Sequence, residues 1–158
     1  MLMTQNTESY LTFKLDEELF AINVSKVLEI LEVKPITKIP KSPSFMKGVI
    51  NLRGNILPVI DTRNKFCMPQ QEFTIDTCII VLSINSASES LLVGAIVDSV
   101  QKVIDIPQDT IQPSASMGAI YREDFINGIG KIDEDFIMIL NIDKVFSAEE
   151  IAVLEVEN

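Results

Sequence analysis

The chain has 158 residues, 47% of them hydrophobic and 23% charged, which is enough apolar side chain to fill one core of ordinary size or two small packed lobes. Its formal net charge of −10 argues against a nucleic-acid phosphate backbone or an anionic membrane surface as partner, because both call for clustered Lys and Arg. Histidine is absent, which excludes Ser-His-Asp and Cys-His catalysis, imidazole metal sites and a phosphohistidine relay.

Residues 1–9 are polar and read as a mobile tail. The start lacks both a basic and an apolar signal region, so a cytosolic chain is expected. Cys67 and Cys78 stand outside any CxxC pair and are expected as reduced thiols, an oxidised link between them being the alternative. No apolar run approaches the roughly twenty residues of a membrane-spanning helix.

Tyr10 to Leu15 and Leu19 to Ile22 read as a hairpin around the turn Asp16-Glu17-Glu18. The segment Asn23 to Val33 fits both helical spacing and alternation, and a single helical turn entering a strand near Val27 satisfies both. Pro35, Pro40 and Pro43 then punctuate a connection that is neither a central strand nor a long helix. It leads into a second hairpin, Val49–Leu52 and Ile56–Ile60 around Arg53-Gly54-Asn55. Pro58 has no backbone donor, which predicts an edge or a bulge at that point.

Cys67 to Gln71 is a loop. Asp76 onward gives a buried strand, TCIIVLSI, and Asn85 to Ser90 turns the chain back into LLVGAIV. A second proline-bearing connection runs from Asp105 to Tyr121, and Ser147 with Glu150 forms a capping box that opens a short terminal helix.

The segment Gly48–Phe66 recurs eighty residues later as Gly128–Phe146 with its apolar pattern intact, Gly48 meeting Gly128 and Phe66 meeting Phe146. The tips differ: Arg53-Gly54-Asn55 becomes Asp133-Glu134-Asp135. Gly94-Ala95-Ile96 likewise resembles Phe20-Ala21-Ile22. Hairpin, turn of helix, proline-rich crossing and hairpin therefore occur twice, which favours two small β-barrels packed together with little helix.

Catalytic signals are weak. Val59-Ile60-Asp61-Thr62 approaches an aspartic-protease turn, but Arg63 replaces the glycine and the second copy offers Asn141 in place of the second acid. Asp61 is better read as accepting hydrogen bonds at a strand end. Gly128-Ile129-Gly130 lacks the third glycine and the setting of a phosphate loop, and no calcium or zinc spacing is present. No cofactor or metal is therefore expected. What remains are surfaces: Glu29 among Val27, Leu28, Ile30 and Leu31 is either the exposed side of an amphipathic strand or half of a pair with Arg53, itself either solvated or so paired. Gly48 and Gly54 meet either a need for positive φ or the close approach of a partner.

The stretch KGVINLRGNILPVIDTRNKF, together with FAINVSKVLEIL, VGAIVDSVQKVI and FINGIGKIDEDFIMILNIDKVF, resembles the CheW family of bacterial chemotaxis coupling proteins over about residues 10–150. Thr62 departs from the family's usual leucine. No receiver or kinase module is attached, unlike the relatives CheV and CheA. The resemblance implies a mainly β fold of two SH3-like five-stranded barrel lobes, approximately residues 10–70 and 71–150, with strand exchange left open, short helical turns and a C-terminal helix. It implies a non-catalytic cytoplasmic adaptor that joins the helical tips of chemoreceptors to the regulatory domain of the kinase CheA, reaching the membrane only through receptor arrays. The family's binding positions fall on Val24, Val27, Glu29, Gly48, Asn51, Arg53 and Gly54, with Gly94 as a further candidate. The alternatives are a CheW-like adaptor of a kinase pathway outside motility and a small acid protease using Asp61.

Overall fold

A computed structural model describes residues 6–85, 90–113 and 125–146. The capping box at Ser147, most of the Asn85–Ser90 turn and the part of the second proline-bearing connection beyond Pro113 lie outside the described residues. Strands β1 (Thr7–Leu15) and β2 (Glu18–Asn23) are followed by a 3-10 turn, Val24–Lys26, and by β3 (Val27–Glu32). Then come β4 (Met46–Leu52), β5 (Asn55–Asp61), a single helical turn α1 (Thr62–Lys65), β6 (Cys78–Asn85) and β7 (Ser90–Val97). The chain continues through β8 (Ser99–Pro107), the two-residue β9 (Gln112–Pro113), β10 (Ile126–Ile132), β11 (Asp135–Leu140) and a second turn, α2 (Ile142–Val145).

The strands form two sheets, β3-β6-β7-β5-β4 and β8-β1-β2-β11-β10-β9. The second thus has six strands where five are expected, the sixth being the short β9. The sheets do not divide the chain near residue 70. The first hairpin joins the strands of the second half through parallel pairing of β2 with β11, and β6–β7 joins the strands of the first half through parallel pairing of β7 with β5. Each half lends its leading hairpin to the other.

This reciprocity follows from strands that are apolar on both faces. In β6, Ile79 and Val81 enter the interior of one barrel with Ile50, Leu57 and Val59, while Ile80, Leu82 and Ile84 enter a layer shared by both sheets with Phe13, Leu15, Ile22, Met138 and Leu140. The other barrel has its own small interior of Tyr10, Ala21, Ile106, Ile137 and Ile139.

Three local expectations are corrected. Thr7–Ser9, read as tail, form the start of β1 and pair with β8, a strand that the sequence reading did not separate from its flanking connection. Pro58 lies neither on an edge strand nor at a bulge of β5: it pairs with Val49 on one side, and the β7 pairing on the other side begins only at Val59. No donor is required of it there. The duplicated strand β7 aligns with β2 one residue away from the sequence match. Val59 pairs with Gly94 and its counterpart Ile139 with Ala21, so Gly94 matches Ala21, because a one-residue slip would turn every side chain to the wrong face.

Both long hairpins are bulged at their glycine. Gly48 has φ 150, and a Cβ there would stand 2.3 Å from the Thr37 carbonyl oxygen, to which Val49 donates at 2.9 Å. A Cβ on Gly128 would stand 2.6 Å from the Gln112 carbonyl oxygen.

Where the first hairpin turn, β7 and α1 meet, Arg63 is almost fully buried. Its Nε donates to Asp98 at 3.0 Å, Nη2 to the same carboxylate at 2.7 Å and to Asp16 and Gln71, and Nη1 to the Pro69 carbonyl at 2.7 Å. One side chain thus pins a turn of one sheet to a strand end of the other. Partial burial pushes the Asp98 carboxyl upward, but the hydrogen bonds from Arg63 and from the Asp16 amide, with the guanidinium charge, hold it below its ordinary value. Beside it, Thr62 is buried and its Oγ1 finds no partner among the described residues.

Arg63→Ala should lower unfolding free energy by about 2–4 kcal/mol, since it leaves a half-buried carboxylate unpaired. With its folded pKa depressed, Asp98 contributes stability above the usual carboxylate pKa of ~3.9 that is lost as pH falls below it. Urea titrations from neutral to acid pH should therefore show a shallower acid-side loss in Asp98→Asn. Gly48→Ala and Gly128→Ala should each cost at least about 2 kcal/mol by the same measurement, from steric conflict with a carbonyl oxygen in both and from backbone strain as well at Gly48. Thr62→Val should stabilise by about 1 kcal/mol, because it removes a buried hydroxyl that bonds nothing.

Candidate functional site

The β4–β5 tip is a two-residue turn with φ 51 at Arg53 and φ 88 at Gly54, the geometry that matches the twist of a hairpin and favours Asn-Gly. An arginine at positive φ is a poor choice for folding alone. Asn51 secures the turn by accepting from the Gly54 amide at 2.7 Å, and a Cβ on Gly54 would meet nothing within 4 Å, so the tip is narrow and open.

From this tip the guanidinium reaches across to β3. Nη1 donates to Glu29 Oε1 at 3.3 Å and Nη2 donates to Oε2, a two-point pairing between planar groups. The hydrogen bond from Arg53 holds the Glu29 carboxyl below its ordinary value despite some desolvation, and the same bond raises the Arg53 pKa. The open alternatives thus resolve to the pair. It is exposed, so its effect on stability is small. Its effect is to fix where a charged, donor-rich surface stands.

Around the pair lies apolar surface. Leu28 and Ile30 on β3 are exposed, Leu28 by 57%, and Val24 stands exposed on the preceding 3-10 turn. Val27 is half-buried against the layer shared by the sheets. Beyond the tip, Ile56 is 66% exposed. The edge strand β3 therefore turns Ile30 to one face and Glu29, held by Arg53, to the other, with exposed Leu28 and Val24 preceding them in the chain.

The structure brings Glu29, Asn51, Arg53 and Gly54 together at the tip, while Val24 and Val27 stand on the 3-10 turn and at the start of β3. It does not bring Gly48 or Gly94 there. Gly48 is buried against the Ile36–Thr37 crossing, and a Cβ on Gly94 would stand 2.8 Å from Ile79 inside a barrel. Both are packing positions. Leu28, Ile30 and Ile56 stand exposed as well, and that exposure was legible: apolar residues on an edge strand and at a turn flank, where alternation leaves one face without cover.

The duplication supplies an internal control. Superposing the halves by strand register carries Ile30 onto Val103 and hence Glu29 onto Lys102, while Arg53 falls on Asp133. The second lobe has both charges reversed. Its turn differs too, with positive φ at Asp133 and not at Glu134.

Asp61 caps α1, its Oδ1 accepting from the Asn64 amide at 3.3 Å, and Asn141 occupies the equivalent cap, so no carboxylate pair forms. Among the described residues no three Cys, Asp or Glu gather to hold a metal ion, and no helix is long and apolar enough to cross a membrane. Both cysteines are free thiols, and burial pushes that of Cys78 upward.

A family model described as CheW-like domain matches residues 9–150. Chemotaxis protein CheW of Klebsiella aerogenes is 32% identical over 148 residues, which is 94% of this chain and 87% of that protein. The protein of the same name in Bacillus subtilis is 32% identical over 143 residues, 90% of this chain and 88% of that one. Among solved structures, the scaffolding protein TtCheW from Thermoanaerobacter tengcongensis matches with a TM-score of 0.78 at 32% identity, over 92% of this chain and 96% of that one. The family model spanning residues 9–150, the relatives at 32% identity along most of their length and the matching solved fold show that the chain belongs to the CheW-like domain family.

Proposed function

We propose that this chain is a non-catalytic adaptor of the cytoplasm that couples the helical tip of a chemoreceptor to the regulatory domain of a CheA-type histidine kinase. The observation that carries the proposal is the Glu29–Arg53 pair, locked at a hairpin tip against an edge strand on which Leu28 and Ile30 are exposed after Val24. An amphipathic helix laid along β3 buries its apolar face on those side chains, and the remaining guanidinium N–H groups meet a polar group of the helix and set its register. Relatives called chemotaxis proteins and a solved relative called a scaffolding protein support the same reading.

The kinase contact needs a separate surface, and the second lobe offers one in its own β10–β11 hairpin, where Phe136 is 67% exposed. Two faces on one rigid body let the adaptor hold both partners at once. A change of receptor state then passes on only where the two states differ in affinity for the assembly.

The test exploits the poor fit of arginine to its turn. Arg53→Asn restores the preferred turn residue and removes the charge, so it should raise the urea midpoint while weakening binding of a receptor cytoplasmic fragment by about tenfold in calorimetry. Unchanged receptor affinity in that variant would remove Arg53 from the docking face.

A further inference from the structure

Each long hairpin runs into a single helical turn, and the eighty-residue repeat carries Arg63 of α1 onto Asp143 of α2. Strand register carries the rest of the Arg63 clamp with it. Asp16 falls on Asn85, and Asp98 falls on Ser25, next to Lys26. The contacts repeat as well. Asp98 accepts from the Asp16 amide at 2.7 Å, and Asp143 Oδ1 accepts from the Asn85 amide at 3.0 Å. Arg63 pairs with Asp98, and Asp143 Oδ2 pairs with the Lys26 ammonium at 2.9 Å. The molecule therefore carries two clasps at matching places. In the second the charges have changed sides, so that the acid stands on the helical turn and the cation follows the strand.

The two differ in depth and in what they hold. Arg63 is almost fully buried, whereas the side chains of Lys26 and Asp143 are 23% and 36% exposed. Lys26 closes the 3-10 turn Val24–Lys26, no residue of which is buried. Apolar packing alone holds such a turn weakly, so its polar ties decide where it stands. Two of them are local: Asn23 Oδ1 accepts from the Ser25 amide at 2.9 Å, and the Val27 amide donates to the Val24 carbonyl. Among the described residues, the one ion pair that reaches the turn comes from Asp143.

We propose that Asp143 is a positioning residue for the docking edge: through Lys26 it sets where Val24 stands and how the chain enters β3. Because α2 follows β11 directly, the clasp also joins that edge to the hairpin that bears Phe136. An exposed pair contributes little to global stability, so breaking it loosens the turn and leaves the fold intact. That this edge meets a receptor rests on the function proposed above, whereas the positioning does not.

Amide hydrogen exchange of the purified full chain, read by NMR, tests it. Asp143→Asn keeps an oxygen for the Asn85 amide and removes the charge that Lys26 faces, while Lys26→Met keeps the apolar stem and removes the ammonium. Each should speed exchange at Val27 by about fivefold and leave it unchanged at Ile80 in the shared layer, which separates a loosened turn from a weakened fold. The double variant should exchange no faster than either single one, because both changes break the same contact. Exchange at Val27 that is unaltered in Asp143→Asn, or that rises only in step with exchange at Ile80, overturns the proposal. The same variants should bind a receptor cytoplasmic fragment about threefold more weakly in calorimetry. Faster exchange with unchanged receptor affinity upholds the positioning and removes this turn from the receptor face. A wild type that binds no receptor fragment sinks the receptor reading, and exchange at Val27 still decides the clasp.

Discussion

The apolar layer shared by the two sheets is the constraint on which the rest of the molecule depends. Phe13, Leu15 and Ile22 from one sheet and Ile80, Leu82 and Ile84 from the other bury the same faces against each other. Each barrel by itself encloses only a handful of side chains, too few to hold a small domain folded alone. Fusing them through a common layer, with β1–β2 joined to strands of the second half and β6–β7 to strands of the first, makes one rigid body. Arg63 closes one end of that body by holding Asp16 and Asp98 together. A rigid body is what a coupler needs, because two docking faces that moved independently would pass nothing between them.

The internal duplication separates scaffold from function without any other sequence to compare. Features present in both halves serve the fold: the bulge and glycine at the base of each long hairpin, the crossing segment whose carbonyl lies against that glycine, and the single helical turn after each hairpin. Features that differ mark specialisation. Arg53 against Asp133 and Glu29 against Lys102 reverse charge at matching places, while the exposed apolar pairs Ile30 with Val103 and Ile56 with Phe136 are kept. The two hairpins thereby present similar apolar surfaces with opposite charge.

Much of this was legible in the chain. The turn of helix running into β3, the hairpin at Arg53-Gly54 and its copy at Asp133-Glu134 follow from local periodicity and turn chemistry, and the Glu29–Arg53 pair was named as one of two alternatives. The structural clamp was not. Arg63 appeared only as a residue that spoils a protease motif, since its partners Asp16 and Asp98 lie 47 and 35 residues away and no local pattern announces a buried guanidinium. β8 escaped because Gln101, Lys102 and Asp105 break its apolar run, as befits an edge strand bonded on one side only. Gly94 entered as a docking position through the family resemblance, and Gly48 through that and its lack of a side chain, which serves a partner's approach and tight internal packing equally; only the surrounding atoms distinguish the two.

The account stands on two separate docking faces carried by one rigid scaffold. Its most direct test is the molar mass of complexes formed by the chain with a receptor cytoplasmic fragment and a CheA regulatory domain, each alone and then both together, by light scattering after size exclusion. Two binary complexes and a heavier ternary complex containing all three are the predicted result. Displacement of one partner by the other, with no ternary species at any ratio, would contradict it.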